Sequence, residues 1–341
     1  MKKRKFRCKY CGSLSTKRNG RRKLEKGFVE CFYCFACKKY FSVRINPHSQ
    51  IGFREKVSLA RTHLEGRTSI RTIARHTGHS TKTICNSIHE VASQCVSTAW
   101  IAGNLKPQWS GYLALDGKMI RVWDWAAKHF HYTREEKRWL HKMSLLLALD
   151  LGTLDIPDHH LGSDETAIDL TMFLQSLKKL GYPLKGYISD GNKDIERAIA
   201  RIFGQVPHQL CIRHYLQGLK DKFWNGEIAE FQYRDACQSL LQGARPKYLK
   251  VPDELFTHRQ VKQLPSTNQQ IENLNRYLML RLKTIGQFQS FSSAKNYCNA
   301  LTLMRRFTAF TDCRDKTKNH KAPLEIAGCD VKELDYLSLQ K

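Results

Sequence analysis

Gly111-Tyr-Leu-Ala-Leu-Asp-Gly-Lys-Met-Ile-Arg-Val122 reads as a β-strand: Leu113 and Leu115 share one face, and Asp116 opens the polar side. The stretch His141 to Leu149 is almost wholly apolar and reads as a second, buried strand. A third short strand is expected around Asp158 to Leu161. Thr166 to Leu180 reads as a helix in which Ile168, Phe173, Leu174 and Leu177 are the apolar positions. Leu184-Lys-Gly-Tyr-Ile-Ser-Asp190-Gly then gives a strand ending in Asp-Gly. A helix follows, with Ile195, Ala198, Ile199 and Ile202 at helical spacing. This order of strands and helices predicts an α/β core over residues 108–290.

Two carboxylates at the ends of neighbouring strands are what a site for hard divalent cations needs. Asp-Gly is first of all a turn signal, so Asp116 and Asp190 carry little weight singly. A third element is Ser266-Thr-Asn268-Gln-Gln-Ile-Glu272-Asn-Leu-Asn275-Arg276. Ile271, Leu274, Leu278, Leu282 and Ile285 form a helical stripe, and Glu272 lies beside it. Asn268 and Asn275 stand at i−4 and i+3 from Glu272, on the same flank. A lone Glu on a helix usually faces solvent, so this pattern too is open by itself.

Upstream, residues 51–103 read as helices. Ile73 and Ala74 share one helix, Gly78 permits a sharp turn, Ser80 suits a helix N-cap, and Ile84, Ile88 and Val91 make a buried stripe. Thr81, Lys82 and Asn86 then face outwards near the N-terminus of the second helix, where a helix-turn-helix reads base edges. An ordinary helical hairpin fits the same spacing. Residues 1–47 hold two knuckles, Cys8-x-x-Cys11 and Cys34-x-x-Cys37, enough for a closed four-thiolate structural Zn²⁺ site. A hairpin turn at Asn19-Gly20 would absorb the long gap between them. Cys31 is surplus, and Arg21 and Arg22 are candidate phosphate contacts. Pro47 and the stretch Gly103 to Pro107 read as linkers.

Composition narrows the partners. The 341 residues carry 57 Lys and Arg against 31 Asp and Glu, a net charge of +26. Such an excess points to a polyanion, with nucleic acid first and an anionic membrane surface a weaker candidate. Five of the 12 cysteines fall within the first forty residues, unlike the even stapling of a secreted disulfide scaffold. No apolar stretch follows the basic opening, and Met143 to Leu149 is too short to span a bilayer, so a cytoplasmic, nucleoid-associated location with no membrane partner is expected.

Jointly, Leu115-Asp116-Gly117, Ser189-Asp190-Gly191, Cys211-Ile-Arg-His214 and Asn268-x-x-x-Glu272-Asn-Leu-Asn275-Arg resemble the Mutator-like DDE transposases of prokaryotic insertion sequences. Ala322-Pro-Leu-Glu-Ile-Ala-Gly328 resembles the end of such proteins, and the similarity spans roughly residues 108–328. The resemblance implies a ribonuclease-H-like core with a helical insertion near 212–262. Asp116, Asp190 and Glu272 would bind two Mg²⁺ or Mn²⁺. Cys211 and His214 would form a structural pair beside that site, and Asn268 and Asn275 would support it. The implied chain is multidomain: a zinc ribbon over 1–47, an all-α helix-turn-helix domain over 51–103, the α/β core over 108–290 and a helical tail over 291–341. The implied activity is cleavage at terminal inverted repeats followed by attack of the freed 3′-OH on target DNA, with a homodimer holding the paired ends. A non-catalytic DNA-binding regulator, a structure-selective DNA nuclease and an RNA-binding protein are the rival readings. Asp150, Asp155, Asp158 and Asp164 are further acids, expected mostly on the surface or in loops.

Overall fold

The computed structural model describes residues 6–24, 27–44, 51–122, 142–162, 166–285, 288 and 290–339. Among these the chain is a mixed α/β protein with two sheets and twelve α-helices. Its contacts divide it into two units, Met1–Lys56 and Val57–Lys341.

The smaller unit is an antiparallel sheet of β1 (Thr16–Leu24), β2 (Gly27–Cys34) and β3 (Tyr40–Arg44). Its interior is little more than Cys8, Cys34, Phe32 and Phe41, with Phe32 stacked on Phe41 at 5.5 Å. So few apolar groups make a poor core without a staple. Asn19-Gly20 is not the hairpin turn. The β1–β2 pairing runs past it with a register shift between Arg18 and Arg21, and closes at Leu24 opposite Gly27. Gly20, at φ +82°, supplies the left-handed residue such a bulge needs.

Helix α1 (Phe53–Leu64) spans the division at Lys56, and the larger unit continues with α2 (Ile70–Thr77), α3 (Thr81–Gln94) and α4 (Thr98–Leu105). Ser69 and Ser80 cap α2 and α3 by accepting from the Thr72 and Thr83 N–H groups. Gly78 ends α2 at φ +71°, the left-handed turn where a side chain would be strained. Ile73, Ile84, Ile88 and Val91 are buried. Pro47 lies outside the described residues. Gly103 belongs to α4, so the linker begins only after Leu105.

The main sheet has the order β6-β5-β4-β7-β8. Strands β4 (Tyr112–Arg121), β5 (Lys142–Asp150) and β6 (His159–Gly162) form an antiparallel meander. Strands β7 (Gly186–Ser189) and β8 (His208–Leu210) continue it parallel to β4. Helices α5 (Ala167–Lys179) and α6 (Lys193–Phe203) bring Phe173, Leu174, Leu177, Ile195 and Ile199 against Leu113, Leu115, Leu146 and Ala148. Ile168 is no part of this core: it is 73% exposed, and Leu170 takes the inward position. Next come α7 (Ile212–Trp224), α8 (Glu230–Leu241), the short α9 (Thr257–Gln260) and the long α10 (Gln269–Ile285) and α11 (Phe291–Phe307), then α12 (Pro323–Ile326). Helix α10 lies against β4, and α11 lies against both β6 and α3. Leu145 through Leu149 are therefore buried without alternation, as a strand covered on both faces should be.

Of the acids expected mostly on the surface or in loops, Asp155 and Asp158 lie in the connection between β5 and β6 and Asp150 ends β5, and all three are buried. Asp155 is fully enclosed and paired bidentately with Arg306 at 2.8 and 2.7 Å, while Trp109 Nε1 donates to it at 2.9 Å. Asp150 accepts from Tyr182, Thr153, Ser110 and the Ser110 N–H. Asp158 accepts from Thr98 at 2.8 Å. Burial without a partner would be prohibitive, and each has several. Asp164 lies outside the described residues.

Candidate functional site

Two sets of side chains carry chemistry, one in each unit. In the smaller unit, the Cys8, Cys11, Cys34 and Cys37 sulfurs all lie within 4.8 Å of one another. Cys8 Sγ is 3.6 Å from Cys37 Sγ, and Cys11 Sγ is 3.6 Å from Cys34 Sγ. Four thiolates about 2.3 Å from one Zn²⁺ would stand roughly 3.8 Å apart, so the donor set fits a structural zinc ion. Desolvation opposes ionisation of Cys8, but N–H groups of Tyr10 and Cys11 outweigh it and bring the thiol down to about 7. The first knuckle precedes β1 and the second bridges β2 and β3, so sheet pairing holds the halves together. Cys31 stands opposite Ser42 on the ladder, outside the cluster. Arg21 and Arg22 are exposed on β1, and Arg21 reaches Glu30 at 3.3 Å.

In the larger unit, the β4–β7 register pairs Tyr112 with Gly186, Leu113 with Tyr187 and Ala114 with Ile188. Continued two residues, it sets Asp116 opposite Asp190. Asp116 is mostly enclosed, with its side chain 12% exposed, whereas Asp190 is exposed just beyond β7. Burial raises the Asp116 carboxyl above its ordinary range. Lys118, 3.2 Å away, and the Gly117 N–H pull it back, and the charge of Asp190 pushes it up again. Gly191 turns the chain at φ +95°, and an added Cβ would meet Leu210 at 2.7 Å, so that turn admits only glycine without movement. The Asn192 N–H donates to Asp190 at 3.1 Å, and Ser189 is held by His208 at 2.9 Å.

Helix α10 delivers Glu272 through the two amides that flank it. Asn275 Nδ2 donates to Asp116 Oδ2 at 2.5 Å. Asn268 Oδ1 meets Cys211 Sγ at 3.2 Å, and the Asn268 N–H meets the same sulfur at 3.4 Å. Both asparagines are buried. The spacing i−4 and i+3 thus clamps the Glu272 turn between β4 and the start of α7. Cys211 occupies the N-cap of α7, and its own N–H donates to the Ser189 carbonyl, next to Asp190.

His214, one turn into α7, faces the acids. Its Nε2 is 3.8 Å from Glu272, and Arg213 is 4.0 Å from the same carboxylate. The Cys211 side chain raises the His214 pKa against the opposing effect of burial, and the charges of Asp190 and Glu272 add to the rise. Burial pushes the Cys211 thiol up, yet His214 and the Asn268 N–H bring it below its usual value. Each group thus shifts the other, the thiol downwards and the imidazole upwards. The four cysteines form the one metal-ready group of three or more such ligands among the described residues. The carboxylates stand wider apart, with Lys118, Arg213 and His214 as their neighbours. Their oxygens suit a hard cation.

Sequence reading passed over Lys118 and Arg213. Lys118 carried a signal, because i+2 on a strand returns to the same face. Arg213 sits inside Cys211-x-x-His214 but had no spacing to distinguish it. On α3, Thr81, Lys82 and Asn86 are all exposed.

No known protein-family model matches this chain, and no curated protein matches it either. Among the described residues no helix is long and apolar enough to cross a membrane.

Proposed function

We propose that this chain is a DNA transposase of the Mutator-like DDE kind, acting from a ribonuclease-H-like core. The observation that carries the reading is the convergence of Asp116, Asp190 and the Glu272 turn just beyond the end of β7, through strand register and two buried amides. An antiparallel meander continued by two strands parallel to its first suits a ribonuclease-H-like core.

Asp116, Asp190 and Glu272 would hold two Mg²⁺ or Mn²⁺, which would activate the attacking oxygen and stabilise the leaving one in phosphodiester cleavage and joining. Asn275 fixes one Asp116 oxygen, and the Gly117 N–H holds the other. Asn268 and Cys211 hold the Glu272 helix in register with α7. Arg213, exposed beside Glu272, is placed to meet a phosphate. Thr81, Lys82 and Asn86 at the start of α3 suit base reading in terminal inverted repeats, and Arg21 and Arg22 suit backbone contact. The net charge of +26 supports a DNA partner, and paired ends require a homodimer in the nucleoid.

The test is cleavage and joining of a labelled inverted-repeat end in Mg²⁺ or Mn²⁺, comparing wild type with Asp190→Ala. Metal-dependent cutting and joining in wild type alone is the expected result. Cutting without joining would replace the transposase with a structure-selective nuclease. Specific binding without chemistry in either protein would replace it with a regulator.

A further inference from the structure

The small three-stranded sheet has one face that its core does not use. Along β2, Phe32 and Cys34 are buried on the inner face, so strand alternation puts Tyr33 on the outer one. Tyr40 of β3 is its direct partner on one side, and Lys17 of β1 on the other. The Tyr33 and Tyr40 rings are 4.9 Å apart, and Phe35 meets Tyr33 at right angles at 5.4 Å. A further ring, Tyr10, has the Lys9 and Lys39 ammonium groups over it at 5.0 and 5.3 Å. Tyr10 and Phe35 each stand between the two cysteines of a knuckle.

Folding does not account for these rings. Tyr10, Phe35 and Tyr40 are 53%, 54% and 64% exposed, in a unit whose interior is starved of apolar groups. Large rings left outside so small a core point to a partner. The charge of the unit says which kind. Residues 6–24 and 27–44 carry ten Lys and Arg against one acid, Glu30, and Glu30 is already paired with Arg18 and Arg21. Aromatic faces interleaved with unneutralised cations suit a chain of bases and phosphates.

We propose that this face of the smaller unit binds single-stranded DNA. Unpaired bases stack on Phe35, Tyr40 and Tyr10, and Lys9, Lys17 and Lys39 meet the phosphates. A base inside a duplex has both faces covered by its neighbours, so only an unpaired strand can use exposed rings. An acidic peptide would match the charge but brings no row of flat faces. From the proposed function this inference takes only that the polyanion is DNA. Binding needs no cleavage, so a chain without transposase chemistry would leave it standing.

The test is fluorescence anisotropy of a labelled oligothymidylate with the full, zinc-loaded chain. Tyr40→Ala and Phe35→Ala should each weaken binding about tenfold, the loss of one base–ring stack. Affinity for a mixed-sequence duplex of equal length should change by less than about twofold, since both variants keep every charge. Tyr40→Trp should retain single-strand binding, because stacking needs the ring and not the hydroxyl. An abasic deoxyribose-phosphate chain should bind at least about tenfold more weakly than oligothymidylate. Unchanged thiol reactivity shows that the variants keep their fold. Unchanged oligothymidylate affinity in both alanine variants would overturn the proposal. Equal affinity for the abasic chain, or equal loss of single-strand and duplex binding, would do the same and reduce the contact to charge. A clear preference for oligouridylate, or displacement by polyglutamate at equal charge, would overturn it in favour of RNA or an acidic protein segment.

Discussion

The cysteine cluster and the carboxylate site differ in how they are assembled. The four sulfurs come from two short knuckles, each of which keeps its two cysteines three residues apart in the chain. The three carboxylates come from the middle of a strand, the turn after another strand and the first turn of a distant helix. The cysteine unit has almost no core, and its four sulfurs could bind a structural metal. The carboxylate site rests on a large packed sheet, and its members are joined by Asn268, Asn275 and Cys211. A site made from local motifs can therefore sit on a fragile frame, while one made from distant residues needs a rigid frame.

The largest expected effect tests that contrast. Chelation, or Cys34→Ser, should unfold the three-stranded sheet of the smaller unit, because zinc affinity on the order of 10 kcal/mol is its folding energy. Circular dichroism and thiol titration should show that loss while the main melting transition stays put. A sheet that survived chelation would break the comparison. Next in size, Asp155→Ala should destabilise the larger unit by about 3–5 kcal/mol in urea, since Arg306 is left as an unpaired buried charge. Asn275→Ala should lower stability by about 1.5–3 kcal/mol through its bond to a carboxylate. Under the proposed function it should also slow cleavage more than it weakens DNA binding. Ser80→Ala removes the α3 cap and should lower stability by about 1 kcal/mol, read from the same urea transition.

The smallest effect has a defined sign. The Asp116 carboxyl is raised in the folded state, chiefly by burial, so its ionised form disfavours folding. That penalty is complete above the folded pKa and vanishes as the pH falls to the unfolded value. Asp116→Asn should therefore be more stable than wild type at neutral pH, and the gap should close on acidification. Melting curves across the acid range check this. A gap that persisted at low pH would place the effect in packing rather than charge.

Much of the local structure was legible. The strand and helix patterns, the Ser80 cap, the Gly78 turn and the Ile84-Ile88-Val91 stripe depend on near neighbours in the chain. Asn19-Gly20 misled because its turn signal is equally a bulge signal, and only the pairing of β1 with β2 chooses between them. The burial of Asp150, Asp155 and Asp158 was hidden for a related reason. An acid carries no mark of burial, and Asp155 is tolerated only because Arg306 arrives from α11 to neutralise it. Ile168 looked like core because hydrophobicity was read without the helix's rotation against the sheet.

The sequence by itself determined the knuckle pairs, the alternation of strands and helices, and the flank shared by Asn268, Glu272 and Asn275, because each follows from spacing along one element. Only the tertiary structure decided that this flank meets Asp116 and Cys211, that β4 and β7 run parallel in the register that aligns Asp116 with Asp190, and that Lys118, Arg213 and His214 surround the acids. Those relations join residues far apart in the chain, and they are fixed by burial of both sheet faces and by pairing of buried polar groups, which no local pattern records.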